Sequence, residues 1–124
     1  MAENLKTAKY NDGVGIPNVT ENTQWQNNTT GAWSYYNNDV ANNAKYGKLY
    51  NWYAVNDSRG LAPAGYTIPT DAEWTTLETT LGANPARQMK STSGWNNSGN
   101  GTNSSGFAGL PGGYRYNDGK FGLL

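Results

Sequence analysis

Short apolar clusters punctuate a mostly polar chain, and one segment carries a complete local pattern. In "YTIPTDAEWTTLETTLG", Tyr66 to Gly82, the residues Trp74, Leu77 and Leu81 recur at helical spacing, the signature of a single apolar face. Pro69 disfavours helix at Ile68, Thr70 stands where an N-cap belongs, and Glu73 three residues on completes a capping box. Asp71 and Glu73 also face the positive end of the helix dipole, worth about 0.3 to 1 kcal/mol each when exposed. Gly82 supplies the stop. The pattern predicts a helix over Thr70 to Leu81, with Trp74 facing inward and the two acids holding the first turn.

A second apolar stripe lies in "NNAKYGKLYNWYAV", where Tyr46, Leu49, Tyr50 and Tyr53 fall at i, i+3, i+4 and i+7. It predicts a helix from Asn42 to Val55 that buries Tyr46, Tyr50 and Tyr53, capped by Asn42 or Asn43, with Gly47 costing about 1 kcal/mol relative to Ala. In "QWQNNTTGAWSYYNND", Trp25 and Trp33 flank a Thr-Gly turn, and Trp33 and Tyr35 alternate with Ser34 and Tyr36, a short-strand pattern. The tetrapeptide "YNDG" occurs twice, ending at Gly13 and Gly119. Each copy predicts a tight turn, because glycine takes positive φ without a Cβ clash. From Ser91 to Gly106 nearly every side chain except Trp95 is small or polar, which predicts a long surface loop that is mobile or serves for binding. "FAGLPGGYRY" reads as a short buried strand broken by Pro111.

Composition sharpens this picture. With 124 residues there is room for one domain. Scarce Leu, Ile, Val and Phe would suggest disorder in a highly charged chain, but the net charge is +0 and aromatic residues make up 13%. A folded core built on Trp and Tyr is therefore expected. Having no cysteine removes disulfides and thiolate chemistry, and having no histidine removes the commonest general base and metal ligand. Lys and Arg are scattered and form no basic stripe, which argues against nucleic acid as a partner. No apolar run approaches the roughly 20 residues of a membrane-spanning helix, and "MAENLKTAKY" lacks the apolar region of a secretory signal.

The ordered motifs "MAENLK", "KYNDG", "IPNVT", "YGKLYNWYAV", "APAGYTIPTDAEW" and "GFAGLPGGYR" resemble the Fibrobacter succinogenes major paralogous domain (FISUMP), abundant in surface and secreted proteins of Bacteroidetes and their relatives. Within them, "YTIPTDAEWTTL" also resembles a helix of the formylglycine-generating-enzyme group, a branch of the C-type-lectin-like fold. The resemblance implies one α+β, lectin-like domain over residues 1–124, with two helices packed on a small, twisted, mostly antiparallel sheet and long loops. It also implies an extracellular or cell-surface location. Family members usually carry a strand before "MAENL" and a tract with a closing strand after "LPGGYR". We therefore expect a domain truncated at both ends, self-associating through exposed sheet edges. The related oxidases bind copper through cysteines, so this chain cannot share that activity.

Nine acidic residues could in principle supply a pair of catalytic carboxylates. However, Asp12 and Asp118 belong to turns and Asp71 and Glu73 to a cap, so we expect no enzyme and no cofactor. Calcium, the usual companion of sugars in C-type lectins, would find "IPN" without its acidic first residue and "WNN" without its final Asp. The loops "YNND" and "VNDSRG" could offer it some oxygens, although Asn-rich turns are common without metal. The expected function is non-catalytic recognition of carbohydrate or protein, by aromatic and amide side chains that stack and hydrogen-bond at small ordering cost. Its candidate residues are Trp95, Asn96 and Asn97 in the long loop and Tyr114, Arg115 and Tyr116 after "LPGG". Each has a structural alternative, Trp95 as a pin for its loop and "GGYR" as a buried strand. The competing function is a structural or assembly module of a surface protein or phage fibre with no small ligand.

Overall fold

Gly47 decides how the aromatic segment folds. In the computed structural model, which describes residues 3–123, the elements in chain order are α1 (Asn22–Gln26), β1 (Trp33–Ser34), a 3-10 turn (Tyr36–Asn38), α2 (Asn42–Tyr46), β2 (Leu49–Tyr50), α3 (Trp52–Val55), α4 (Asp71–Leu81), α5 (Pro85–Met89), β3 (Tyr114–Arg115) and β4 (Phe121–Gly122). The expected helix from Asn42 to Val55 is thus α2, β2 and α3. Gly47 takes φ 70°, ψ −142° and ends α2. The chain then extends so that Lys48 N–H donates to the Leu5 carbonyl and β2 pairs antiparallel with β1. Long-range pairing has overridden the helical period. The apolar phase resets with it, and Tyr53, expected in the core, is 46% exposed, while Tyr46 and Tyr50 are half-buried.

The composition is α+β, as expected, but with five short α-helices among the described residues in place of two, and two separate two-stranded antiparallel sheets. Two compact units result. The larger comprises Asn4–Ile68 and Gly112–Leu123, and the smaller Pro69–Pro111 with Glu3.

In the larger unit the core is Tyr10, Ile16, Trp33, Ala54 and Leu61, with Leu5, Tyr35, Tyr50 and Val55 packed around it. Trp33 donates its indole N–H to the Ile16 carbonyl at 2.7 Å, so this buried ring is also satisfied. Trp33 and Ser34 are both buried, which breaks the expected alternation, and Trp25 lies buried in α1 and not in a strand. Both "YNDG" segments form the predicted turn in the same way. Gly13 and Gly119 each adopt φ 87°, and Asp12 and Asp118 each accept the backbone N–H two residues on, from Val14 and Lys120. The buried strand expected around Pro111 is absent. Before Pro111 there is a single parallel bridge, Gly109 with Lys90, and after it comes β3, which pairs with β4 and leaves Tyr114 exposed.

In the smaller unit α4 has its full capping box: Thr70 Oγ1 accepts from Glu73 N–H at 3.2 Å, and Glu73 Oε2 accepts from Thr70 N–H at 2.8 Å. None of its residues is buried, however. Leu77 and Leu81 are half-buried, and Trp74, expected to face inward, is 37% exposed with its ring edge against Phe107. Gln88 of α5 ties the two helices together by donating to the Leu81 and Ala83 carbonyls. The loop after α5 is not a free excursion. Gly101, Thr102, Asn103 and Ser105 donate backbone N–H groups to Ser91, Arg87, Lys90 and Gln88.

Gly31 in the larger unit is buried, and a Cβ there would overlap the Tyr10 hydroxyl. Gly31→Ala is therefore expected to lower unfolding stability by about 1 to 3 kcal/mol, read from denaturant midpoints. Gly15→Ala, where the added methyl meets open space, should stay within about 0.5 kcal/mol of the parent.

Candidate binding cleft

The two groups of residues expected to form a site lie in different units. In the smaller unit, Trp95 is half-buried. Its indole N–H is shared between Ser91 Oγ (3.1 Å) and the Gly109 carbonyl (3.2 Å), and Lys90 Nζ sits 4.3 Å over its ring. Its backbone N–H donates to Asn100 Oδ1. Trp95 thus pins its loop and at the same time lines a groove of about 450 Å³ with Trp74, Met89, Phe107 and Leu110. Asn96 and Asn97 are exposed, and Asn97 is held at φ 53°.

In the larger unit, Tyr114 and Tyr116 are 41% and 48% exposed, with rings edge to face at 4.7 Å and hydroxyls 2.6 Å apart. That hydroxyl contact pushes the Tyr114 phenol above its ordinary value. Arg115 is committed to structure. Its guanidinium donates to the carbonyls of Val19, Thr20 and Gly119, and its central carbon lies 4.3 Å from the centre of the Trp25 ring and 4.8 Å from that of Phe121. A planar fork satisfying three carbonyls at once is a task that a lysine ammonium cannot copy.

A third place was not foreseen from sequence. Thr29, Thr30 and Gly31 form one wall of a cleft of about 300 Å³, and the segment from Trp52 to Arg59 forms the other. Asn51 holds the two walls together. Its side-chain Oδ1 accepts from Ala54 N–H, capping α3, and also from Ala32 N–H, while its Nδ2 donates to the Thr30 carbonyl. Its backbone N–H donates to Ala32 O. Because α3 begins at Trp52, the first two side chains after the cap project outward, and Trp52 is 68% exposed. The signal that could have found them was "GKLYN": a glycine inside the stripe followed by an asparagine able to start a new helix.

Beside the aromatic pair, Asp57 and Arg59 form a fork. Arg59 Nε donates to Oδ1 at 2.8 Å and Nη2 to Oδ2 at 2.7 Å, and the Arg59 backbone N–H also reaches Oδ1. The guanidinium rests 3.9 Å over the Tyr10 ring. These hydrogen bonds from Arg59 hold the Asp57 carboxyl well below the usual carboxylate range. Behind Gly31, the buried Tyr10 hydroxyl has no hydrogen-bond partner. Burial first, and the charge of Asp57 second, raise its pKa. In the loop "VNDSRG", weighed earlier for calcium, both carboxylate oxygens of Asp57 are thus already engaged. Among the described residues no group of three or more acidic side chains gathers as a metal cluster would. No described helix is long and apolar enough to cross a membrane.

The chain belongs to the Fibrobacter succinogenes major domain family, whose model matches residues 1–124. No curated protein and no solved structure matches it.

Two outcomes follow from these contacts. Arg115→Lys should lower stability by about 2 kcal/mol in denaturant unfolding, since carbonyl partners in a half-buried site lose charged donors. Asp57 titrates lower in the folded chain than its ordinary 3.8, so its contribution is complete above that pH and is lost as the pH falls below it. Acid unfolding of Asp57→Asn should accordingly be shallower than that of the parent over this range.

Proposed function

We propose that the protein is a non-catalytic recognition module of a bacterial surface or secreted protein, and that it takes carbohydrate or protein in the Trp52–Arg59 cleft. One observation carries this reading. Trp52 and Tyr53 stand 68% and 46% exposed at the mouth of a concavity, on a helix too short to need them for its own packing. Large exposed aromatics grouped with polar neighbours are how protein surfaces anchor ligands. The family's abundance in surface proteins supports the location. The lectin-like view of the fold belongs to the same proposal, supported by the capped α4 that follows the aromatic segment.

The alternative is a structural module, self-associating or spacing larger assemblies. It is favoured by Trp33, which is buried, and by Trp95, which is pinned by two hydrogen bonds. The two differ at Trp52. On an array of glycans and peptides, Trp52→Ala should lose at least about tenfold in apparent affinity, near 1.4 kcal/mol. Tyr66→Ala, equally exposed but outside the cleft, should bind as the parent does. Equal binding by the Trp52→Ala protein would overturn the cleft as the site, and silence of the parent on every spot would sustain the structural module instead.

A further inference from the structure

Resting on the recognition role proposed above, the geometry points to a narrower ligand class: we infer that the Trp52–Arg59 cleft binds a neutral saccharide through adjacent hydroxyls, without a metal ion.

Three features of the cleft carry this. The first is an apolar platform. Trp52 and Tyr53 present wide ring surface, and neither the indole N–H nor the Tyr53 hydroxyl has a hydrogen bond within the described residues. A pyranose offers the matching surface, with an apolar C–H face and a polar edge.

The second is the set of polar groups around the platform. The side chains of Thr29, Asn56 and Ser58 line the cleft and make no hydrogen bond within the described residues. Four amides elsewhere in the same unit serve architecture instead: Asn51 on Thr30, Ala32 and Ala54, Asn4 on Tyr46, Asn38 on Thr20 and Asn42 on Tyr36. Hydroxyl and amide groups that can both donate and accept suit a ligand made of hydroxyls, each of which does both.

The third is the Asp57–Arg59 fork, which decides the charge of the ligand. Each partner neutralises the other, and the Nη2 to Oδ2 contact of 2.7 Å sets one donor and one acceptor side by side. Beyond these contacts Arg59 has further N–H donors on Nη1 and Nη2, and Asp57 Oδ2 has a further lone pair. Two neighbouring hydroxyls of a sugar ring are spaced to use both, one accepting from Arg59 and the other donating to Asp57. A carboxylate ligand would have to displace Asp57 from Arg59, and it would also meet Asp12, whose negative charge acts on Arg59. An ammonium ligand would meet the Arg59 charge beside the same Asp57 oxygen. Because Arg59 satisfies both Asp57 oxygens, calcium has no free carboxylate to begin from at this place.

The test is a titration of the intact chain, in excess EDTA, with neutral hexose oligosaccharides, with hexuronate oligosaccharides of matched length, and with a panel of short peptides. The readout is the Trp52 indole N–H resonance, assigned with Trp52→Phe. A saturable shift with a neutral oligosaccharide, unaffected by EDTA or by added salt, is the expected result, with hexuronates at least about tenfold weaker. Asp57→Asn frees Arg59 and should reverse this order, weakening the neutral sugar and strengthening the uronate, a change that mere loosening of the fold would not produce. Asn56→Ala, at an exposed position whose side chain makes no hydrogen bond within the described residues, should weaken the neutral sugar by at least about threefold, and it keeps the test decisive if Asp57→Asn does not fold. Hexuronate or peptide binding at Trp52 that equals or exceeds that of the neutral sugars overturns the saccharide assignment and leaves recognition standing. A Trp52 signal that responds to no probe overturns both.

Discussion

One asparagine side chain organises the larger unit. The Asn51 amide caps α3 and closes onto Thr30 and Ala32, so it fixes where the helix starts and, with the same atoms, how far that helix stands from the Thr29–Gly31 segment. An amide has only two heavy atoms to offer, and here both are used by backbone. A cap replaced by alanine typically costs about 1 kcal/mol for the helix alone. At position 51 the geometry of the facing wall is lost as well.

Around that amide the packing is mutually dependent. Gly31 must lack a side chain because Tyr10 occupies the space, and Tyr10 in turn carries Arg59 on its ring. Arg59 then holds Asp57. The sequence is therefore Asn51, Gly31, Tyr10, Arg59, Asp57, each placed by the one before. None of these contacts is strong by itself; an exposed ion pair contributes about 0 to 1 kcal/mol. Their combined effect is to give each side chain of the rim a fixed neighbour.

What was legible in the sequence was what is local. The Thr70–Glu73 box spans three residues and the "YNDG" turns span four, so their chemistry is complete within the motif, and both form as expected. The aromatic segment was not legible in the same way. Its i, i+3, i+4, i+7 pattern is present, but Gly47 turns the chain toward the Leu5 carbonyl and the Ala32 segment, partners that no local window contains. The candidate site suffered from the same displacement. The stripe predicts Tyr53 in a core that it does not enter, and Trp52 lies outside the stripe altogether. Arg115, expected to meet ligand, instead reaches back 96 positions to Val19. Trp95 sits between these cases, because one of its partners, Ser91, is near in sequence and the other, Gly109, is not.

The larger unit is discontinuous, with Pro69–Pro111 spliced between its two parts. On a ribosome this imposes an order of events. The inserted segment is complete and free to collapse while the surrounding unit still lacks β3 and β4. Until Arg115 emerges, the carbonyls of Val19 and Thr20 and the face of Trp25 have no guanidinium to meet. Translation must therefore pass Arg115 before the segment from Val19 to Trp25 can reach its final state, and until then the Trp25 ring waits for its cover.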